Sequence, residues 1–177
     1  MVSRVIPVQA FDLVVFGGTG DLAKRKILPS LFRRFVAGQM PNDAFVIGVA
    51  RSELNTKSYQ DLVISALKEF EPELVASAEL KIFIKQIKYV QIDAQGDFGW
   101  SDLADKVRKD AIQAFYFSVS PSLFGQLAEK LHQYSIASQS SRIVLEKPFG
   151  RDLSSAQALN AVLKAVSYTH LTLPTKA

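Results

Sequence analysis

The segment FGGTGDLAKRK, residues 16–26, places three glycines directly after a run of apolar residues. Gly18, Gly20 and Ala23 have the spacing G-x-G-x-x-A, which is typical of a turn that binds a dinucleotide pyrophosphate. In such a turn the first glycine permits a tight bend and the second lets the backbone approach the phosphates. The small third residue lets the following helix pack against the strand. Free N–H groups at the start of that helix face the anion, so the segment predicts a dinucleotide-binding turn.

Lys24, Arg25 and Lys26 follow this turn, at the start of the predicted helix. The helix dipole already makes that end partly positive, so three cations are unfavourable there unless an anionic group lies beside them. A bound pyrophosphate supplies that group. Two other nucleotide-binding patterns do not fit. The Walker A pattern G-x-x-x-x-G-K-[ST] does not occur. No tyrosine has a lysine four positions later, which disfavours a short-chain reductase.

Arg51 occupies the first position after the apolar run of the second predicted strand, which ends GVARSE. NAD-binding proteins of this type place an acidic residue near that point, where it binds the ribose hydroxyls. A planar guanidinium instead suits a bidentate contact to the 2′-phosphate of NADP. The sequence therefore favours NADP as the cofactor, while Glu53 keeps NAD open.

Short apolar segments alternate with amphipathic ones along the whole chain. The alternation predicts a doubly wound, mostly parallel sheet covered by helices on both faces, an α/β fold of the Rossmann type. The predicted strands are residues 11–16, 44–50, 88–93, 112–118 and 142–146. The predicted helices are residues 28–36, 59–70, 73–85 and 100–109, one that begins at Pro121, and one capped by Asp152 or Ser154.

The composition favours one globular domain, since the chain has 177 residues, of which 48% are hydrophobic. There is no cysteine, which excludes disulfides and thiolate metal sites, and no metal site is expected. The net charge of +4 is scattered, so nucleic acid is not an expected partner. The sequence has neither a secretory leader nor an apolar stretch of about 20 residues. A cytoplasmic protein without a membrane partner is predicted.

The last 13 residues, 165–177, show no amphipathic period and resemble translated vector sequence. We therefore predict an NADP-binding domain over residues 1–164, incomplete at its C-terminal side, followed by a non-native tail.

Four motifs, in order, resemble the glucose-6-phosphate dehydrogenase family. FGGTGDLAKRKILPSLF resembles the cofactor signature of that family, and ARS at residues 50–52 matches the arginine after its second strand. FYFSVSPSLF, residues 115–124, matches the segment that borders the nicotinamide, although Ser120 and Phe124 depart from the common residues there. RIVLEKPFGRDLSSA, residues 142–156, resembles the E-K-P-F-G-x-D motif. The resemblance covers residues 11–163.

The resemblance implies oxidation of D-glucose 6-phosphate to 6-phosphogluconolactone with NADP, the entry step of the oxidative pentose phosphate pathway of carbohydrate metabolism. It places Arg51 at the 2′-phosphate and Asp93 and Ala94 near the cofactor. Lys147, which Pro148 holds in an extended backbone, would contact both the nicotinamide side of the cofactor and the sugar phosphate. The pyrophosphate and the adenosine ribose would lie on Gly17, Gly18, Thr19, Gly20, Asp21, Leu22, Ala23 and Lys24.

The substrate signature of the family, R-I-D-H-Y-L-G-K-E, is missing, and with it the histidine that acts as general base. His132 and His170 lack its surroundings, so we assign no catalytic residue. The chain is predicted to be the coenzyme domain of an enzyme that is a homo-oligomer at full length, and to be inactive alone. The alternative is a stand-alone NADP-binding redox sensor or regulator.

Overall fold

The computed structural model describes residues 8–146 and 152–166. Five strands form one sheet: β1 (Phe11–Phe16), β2 (Phe45–Ala50), β3 (Ile87–Gln91), β4 (Ile112–Phe117) and β5 (Arg142–Leu145). All neighbouring strands pair in parallel, in the order β3-β2-β1-β4-β5. At the centre of the sheet, Val14 lies between Ile47 and Phe115. The chain thus builds the sheet outward from β1 in one direction and then restarts on its other side, which confirms the predicted doubly wound α/β fold.

In the described part of the chain, six α-helices cover the two faces of the sheet. They are α1 (Leu28–Val36), α2 (Thr56–Phe70), α3 (Glu79–Gln86), α4 (Trp100–Lys106), α5 (Phe124–Gln133) and α6 (Leu153–Val166). Successive residues of a strand point to opposite faces, so Val15 packs with α1, α2 and α3 while Val14 packs with α4, α5 and α6. This double burial explains why β1 and β2 are nearly continuous apolar runs, whereas β3 and β4 also carry polar residues such as Lys88 and Gln113. Within the described residues, no helix has the length and apolarity needed to cross a bilayer.

A wide helical turn connects the glycine segment to α1. Residues Ala23–Ile27 form a π-helical turn, closed by a hydrogen bond from the N–H of Leu28 to the carbonyl of Ala23. Pro29 follows in the first turn of α1. A proline ring inside a helix collides with the carbonyl four residues earlier, and widening the preceding turn relieves that collision. Helical spacing in the sequence did not predict this turn.

Several predicted boundaries differ from the structure. Residues 73–78 form turns rather than the first half of α3, and α4 ends at Lys106 instead of residue 109. α6 runs through Val166, two residues beyond the predicted domain boundary. Its start is capped as predicted by Asp152, whose Oδ1 accepts a hydrogen bond of 2.8 Å from the N–H of Ser155. Residues 167–177, which hold the rest of the predicted tail, lie outside the described residues.

The edge where the strands begin, here the amino edge, is closed by an ion pair between a buried aspartate and a partly exposed arginine. Asp12 is fully buried and accepts hydrogen bonds from the N–H of Arg108 at 2.7 Å and from its Nη2 at 2.6 Å. The guanidinium also donates to the carbonyl of Asp43 at 2.6 Å and lies 3.9 Å above the centre of the Phe45 ring. Arg108 therefore ties the loops before β2 and β4 to β1.

Candidate functional site

A cleft of about 590 Å³ opens at the opposite edge of the sheet, where the strands end, here the carboxyl edge. It lies where the strand order reverses, because residues after β1, β2, β3 and β4 all contribute to its walls. Open parallel α/β sheets bind their ligands at this position. Six of the predicted cofactor residues line the cleft: Gly17, Thr19, Gly20, Arg51, Asp93 and Ala94.

Gly17 makes the tight bend after β1. Its φ is +82°, and a Cβ at this position would collide with the carbonyl oxygen of Ser118. Its N–H donates to the carbonyl of Val49 at 2.8 Å, which ties the turn to β2. The expectation that Gly18 supplies this bend is wrong, since Gly18 is not among the glycines with positive φ. Only a glycine fits at position 17, because the backbone is left-handed and crowded there.

Gly18 has a different task, which is close packing against β2. A Cβ on Gly18 would lie 2.9 Å from the Cα of Gly48 and 2.9 Å from the hydroxyl oxygen of Tyr59. That hydroxyl, from the buried start of α2, donates a 2.9 Å hydrogen bond to the carbonyl of Gly18. Ala23 is fully buried among the residues that pack α1 on the sheet, as expected for the small third position. Gly20 is exposed on the cleft.

The three cations after the turn are not equivalent. Arg25 binds Asp21, with 2.9 Å between its Nε and Oδ1, and lies 5.6 Å from the centre of the Phe70 ring. It therefore has an anion of its own, and the expectation that all three cations await a ligand is wrong for Arg25. Lys24 and Lys26 form no ion pair within the described part of the chain. Lys24 and Asp21 border a separate cleft of about 430 Å³ between the π-helical turn and α2.

Arg51 stands directly after β2 on the wall of the main cleft. It is exposed, and within the described residues no carboxylate pairs with it. Glu53, which kept NAD open, is exposed and does not line the cleft. Arg51 is therefore a cation held at the rim of the cleft by its neighbours, and it is free to bind an anionic group.

Asp93 and Ala94 form the wall that follows β3. The Asp93 carboxylate accepts a 3.0 Å hydrogen bond from the N–H of Gln95, and the Asp93 carbonyl accepts one from the indole of Trp100. The fully buried indole fixes this turn against α4. Gln95 lines the cleft as well. Gln95 was not among the predicted site residues, because it belongs to no recognisable motif.

A second, smaller cleft of about 280 Å³ lies beside the ends of β4 and β5. Leu22, Pro121, Phe124 and Glu146 contribute to its walls. The hydroxyl of Tyr116 donates a 2.6 Å hydrogen bond to the Glu146 carboxylate. Burial is the main cause of the raised pKa of Tyr116, and the Glu146 carboxylate raises it further. Glu146 was not predicted as a site residue, although its position after a strand was a usable signal. Lys147, the next residue and a predicted cofactor and substrate residue, lies outside the described residues.

The comparisons with known proteins agree on one family. A family model described as glucose-6-phosphate dehydrogenase, NAD binding domain, matches residues 14–170. The chain is 41% identical over 169 residues to glucose-6-phosphate 1-dehydrogenase of Rhizobium meliloti. The aligned region covers 94% of this chain and 34% of that protein. The corresponding protein of Gluconobacter oxydans is 37% identical over 86% of this chain and 32% of its own length. The chain thus spans about a third of the length of these relatives.

Solved structures give the same result. The crystal structure of glucose-6-phosphate 1-dehydrogenase from Mycobacterium avium superposes with a TM-score of 0.80 at 31% identity, over 90% of this chain and 34% of that one. A glucose-6-phosphate dehydrogenase in complex with glucose-6-phosphate superposes with a TM-score of 0.76 at 28% identity, over 91% and 36% of the two chains. The predicted family and fold are confirmed. Because the family model matches most of its length, this chain belongs to the glucose-6-phosphate dehydrogenase family and carries its NAD-binding domain.

Proposed function

We propose that this chain is the coenzyme domain of an enzyme that oxidises D-glucose 6-phosphate to 6-phosphogluconolactone, and that it binds NADP. The observation that carries the proposal is one cleft with two features. The Gly17–Gly20 turn lies on one wall, and the unpaired Arg51 guanidinium lies on another. Backbone N–H groups at a turn before a helix bind phosphate well, and a guanidinium that has no carboxylate partner can bind a second phosphate.

The residues present fit a dinucleotide. A side chain at Gly17 or Gly18 would collide with β2, α2 or the segment after β4, so the two glycines fix the shape of the turn. That shape places Thr19 and Gly20 on the cleft, where a pyrophosphate would lie. Arg51 would bind the 2′-phosphate, and Asp93 and Ala94 would border the adenosine half. When bound, the nicotinamide supplies the group that accepts the hydride. Lys147 would contact the nicotinamide side of the cofactor and the sugar phosphate, as the family motif implies.

The 177 residues by themselves are expected to bind the cofactor without turning over the sugar phosphate. They contain two histidines, His132 on α5 and His170 in the predicted tail, and neither stands in the family's substrate signature. NADPH formation from glucose 6-phosphate by the purified chain would contradict this part of the proposal. Cytoplasmic location and a homo-oligomeric full-length enzyme belong to the same proposal.

Substituting Arg51 tests the choice of NADP. Arg51→Ala should weaken NADP binding by roughly 10- to 150-fold, because a lost charged hydrogen bond costs about 1.5–3 kcal/mol. NAD binding should barely move, since NAD lacks the 2′-phosphate. Dissociation constants for both nucleotides, measured by isothermal titration calorimetry, decide between the outcomes. Arg34→Ala, which removes an exposed arginine on α1, is the control for loss of net charge and should change neither constant.

An equal loss of NADP and NAD affinity in Arg51→Ala would remove Arg51 from the 2′-phosphate site. Failure of the unsubstituted chain to bind either nucleotide would refute cofactor binding as the function of the domain.

A further inference from the structure

Three successive backbone carbonyls, those of Ala50, Arg51 and Ser52, accept hydrogen bonds from side chains of β3. The Tyr89 hydroxyl lies 2.6 Å from the Ser52 oxygen and 3.2 Å from the Ala50 oxygen. The Gln91 amide nitrogen lies 3.1 Å from the Arg51 oxygen. We call the side chains of Tyr89 and Gln91 the β3 clamp. The loop that presents Arg51 is thus held from a neighbouring strand.

The register of the sheet explains how two side chains reach this loop. Tyr89 pairs with Gly48 and Gln91 pairs with Ala50, the last residue of β2. Residues two apart on a strand project from the same face, so both side chains lie beside the chain as it leaves the sheet. Gly48 has no side chain, which leaves that space to the ring of Tyr59.

Tyr59 lies next to the clamp and serves the other half of the cleft. Its ring centre is 4.9 Å from that of Tyr89, and its hydroxyl binds the carbonyl of Gly18 in the glycine turn. Burial raises the pKa of both tyrosines, so both hydroxyls are protonated donors at neutral pH. Two tyrosines with rings in tilted contact therefore hold two different loops, Tyr59 the glycine turn and Tyr89 the Arg51 loop.

We propose that the β3 clamp sets the preference for a 2′-phosphorylated nucleotide by holding the Arg51 loop in the position that binds the phosphate. Tyr89 and Gln91 are then positioning residues for cofactor specificity that do not themselves touch the cofactor. The proposal rests on the proposed function, since it assigns Arg51 to the 2′-phosphate. If the loop were not held, the Arg51 guanidinium would have to become ordered when the nucleotide binds. The free-energy cost of that ordering would weaken only the binding of the 2′-phosphate, which Arg51 contacts.

The test compares two variants, each of which lacks a single tyrosine hydroxyl of the unsubstituted chain. In the 177-residue chain, Tyr89→Phe should weaken NADP binding by about 3- to 10-fold, the effect of one lost hydrogen bond, and leave NAD binding within about 2-fold. Gln91→Met, at a half-exposed position where folding is not at risk, should act in the same direction. The matched control Tyr59→Phe should weaken NADP and NAD by the same factor, because both nucleotides carry the pyrophosphate.

A double-mutant cycle separates positioning from general loosening. In an Arg51→Ala background, Tyr89→Phe should produce no further loss of NADP affinity, because the residue that it positions is gone. A loss that persists in that background overturns the clamp, as does an equal loss for both nucleotides in Tyr89→Phe and Gln91→Met. If the unsubstituted chain binds NADP and these results appear, the proposed function stands and only the clamp is refuted. If the unsubstituted chain binds neither nucleotide, both are refuted.

Discussion

The two edges of the sheet use polar groups in opposite ways. At the amino edge, buried polar side chains bind each other and the backbone. Besides the Asp12–Arg108 pair, the Gln113 amide donates to the carbonyl of Arg108 at 3.0 Å, and the hydroxyl of Ser141 donates to Gln113 at 2.8 Å. At the carboxyl edge, Arg51 faces an open cleft and forms no ion pair within the described residues.

The difference shows how one sheet separates stability from binding. A buried charge without a partner is costly, so the amino edge depends on its internal hydrogen bonds. An exposed guanidinium is hydrated, so an arginine without an ion-pair partner costs little stability at the carboxyl edge and can bind an anionic ligand. Substitutions at the amino edge should therefore change the free energy of unfolding, and substitutions at the carboxyl edge should change nucleotide affinity.

Removing the buried carboxylate should have the largest effect. Asp12→Ala should lower the free energy of unfolding by about 3–5 kcal/mol, because it leaves the Arg108 guanidinium without its partner. Urea denaturation followed by circular dichroism measures the change, and the folded protein should keep its NADP affinity. Asp61→Ala is the control, since its exposed pair with Lys57 on α2 is worth no more than about 0.5 kcal/mol. Equal losses in the two variants would show that the amino edge is not specially stabilised.

Two glycines with nearly the same backbone give the next largest contrast. Gly17 and Gly38 have φ of +82° and +71°, so alanine at either costs about 1–2 kcal/mol of backbone strain. A Cβ at Gly38 has no atom within 4 Å, whereas a Cβ at Gly17 meets the Ser118 carbonyl. Gly17→Ala should cost about 1–3 kcal/mol more than Gly38→Ala and should alone weaken NADP binding. Thermal denaturation and nucleotide titration check both statements, and identical behaviour of the two variants would contradict them.

The smallest effect is a pH dependence near the carboxyl edge. Lys130 and the hydroxyl of Tyr134 donate to the Asp97 carboxylate and lower its pKa, with Lys130 the larger cause. Lys130→Met should raise the pKa of Asp97 toward its ordinary value, and Tyr134→Phe should raise it less. Carbon-detected nuclear magnetic resonance of the carboxyl group measures both, and an unchanged pKa in Lys130→Met would contradict the pairing.

The sign of the accompanying stability effect follows from the lowered pKa. Asp97 stabilises the fold above its ordinary pKa, and this contribution is lost as the pH falls through the folded-state pKa. The stability difference between the native chain and Lys130→Met should therefore be present at neutral pH and disappear in acid.

The strands were predictable from the sequence within one or two residues, because strands buried on both faces are mostly apolar and β-branched or aromatic, and because turn residues such as glycine follow them. The glycine turn was predictable as a motif. Which residue of the turn has the left-handed backbone was not predictable, because the steric contact that requires glycine at position 17 is with Ser118, about a hundred residues later. For the same reason the carbonyl contacts of Tyr89 could not be read from spacing, since every residue offers the same acceptor.

The π-helical turn before Pro29 also has a consequence for comparing sequences. It adds one residue to a helical turn, so a helical wheel drawn from Ala23 at 100° per residue is out of phase with the buried face of α1. Loss of a single residue between Ala23 and Leu28 would convert the wide turn into an ordinary α-helical one and leave the glycine segment and Phe32 in nearly the same relative orientation. A one-residue difference in this short stretch is therefore compatible with the same cofactor turn and the same hydrophobic core.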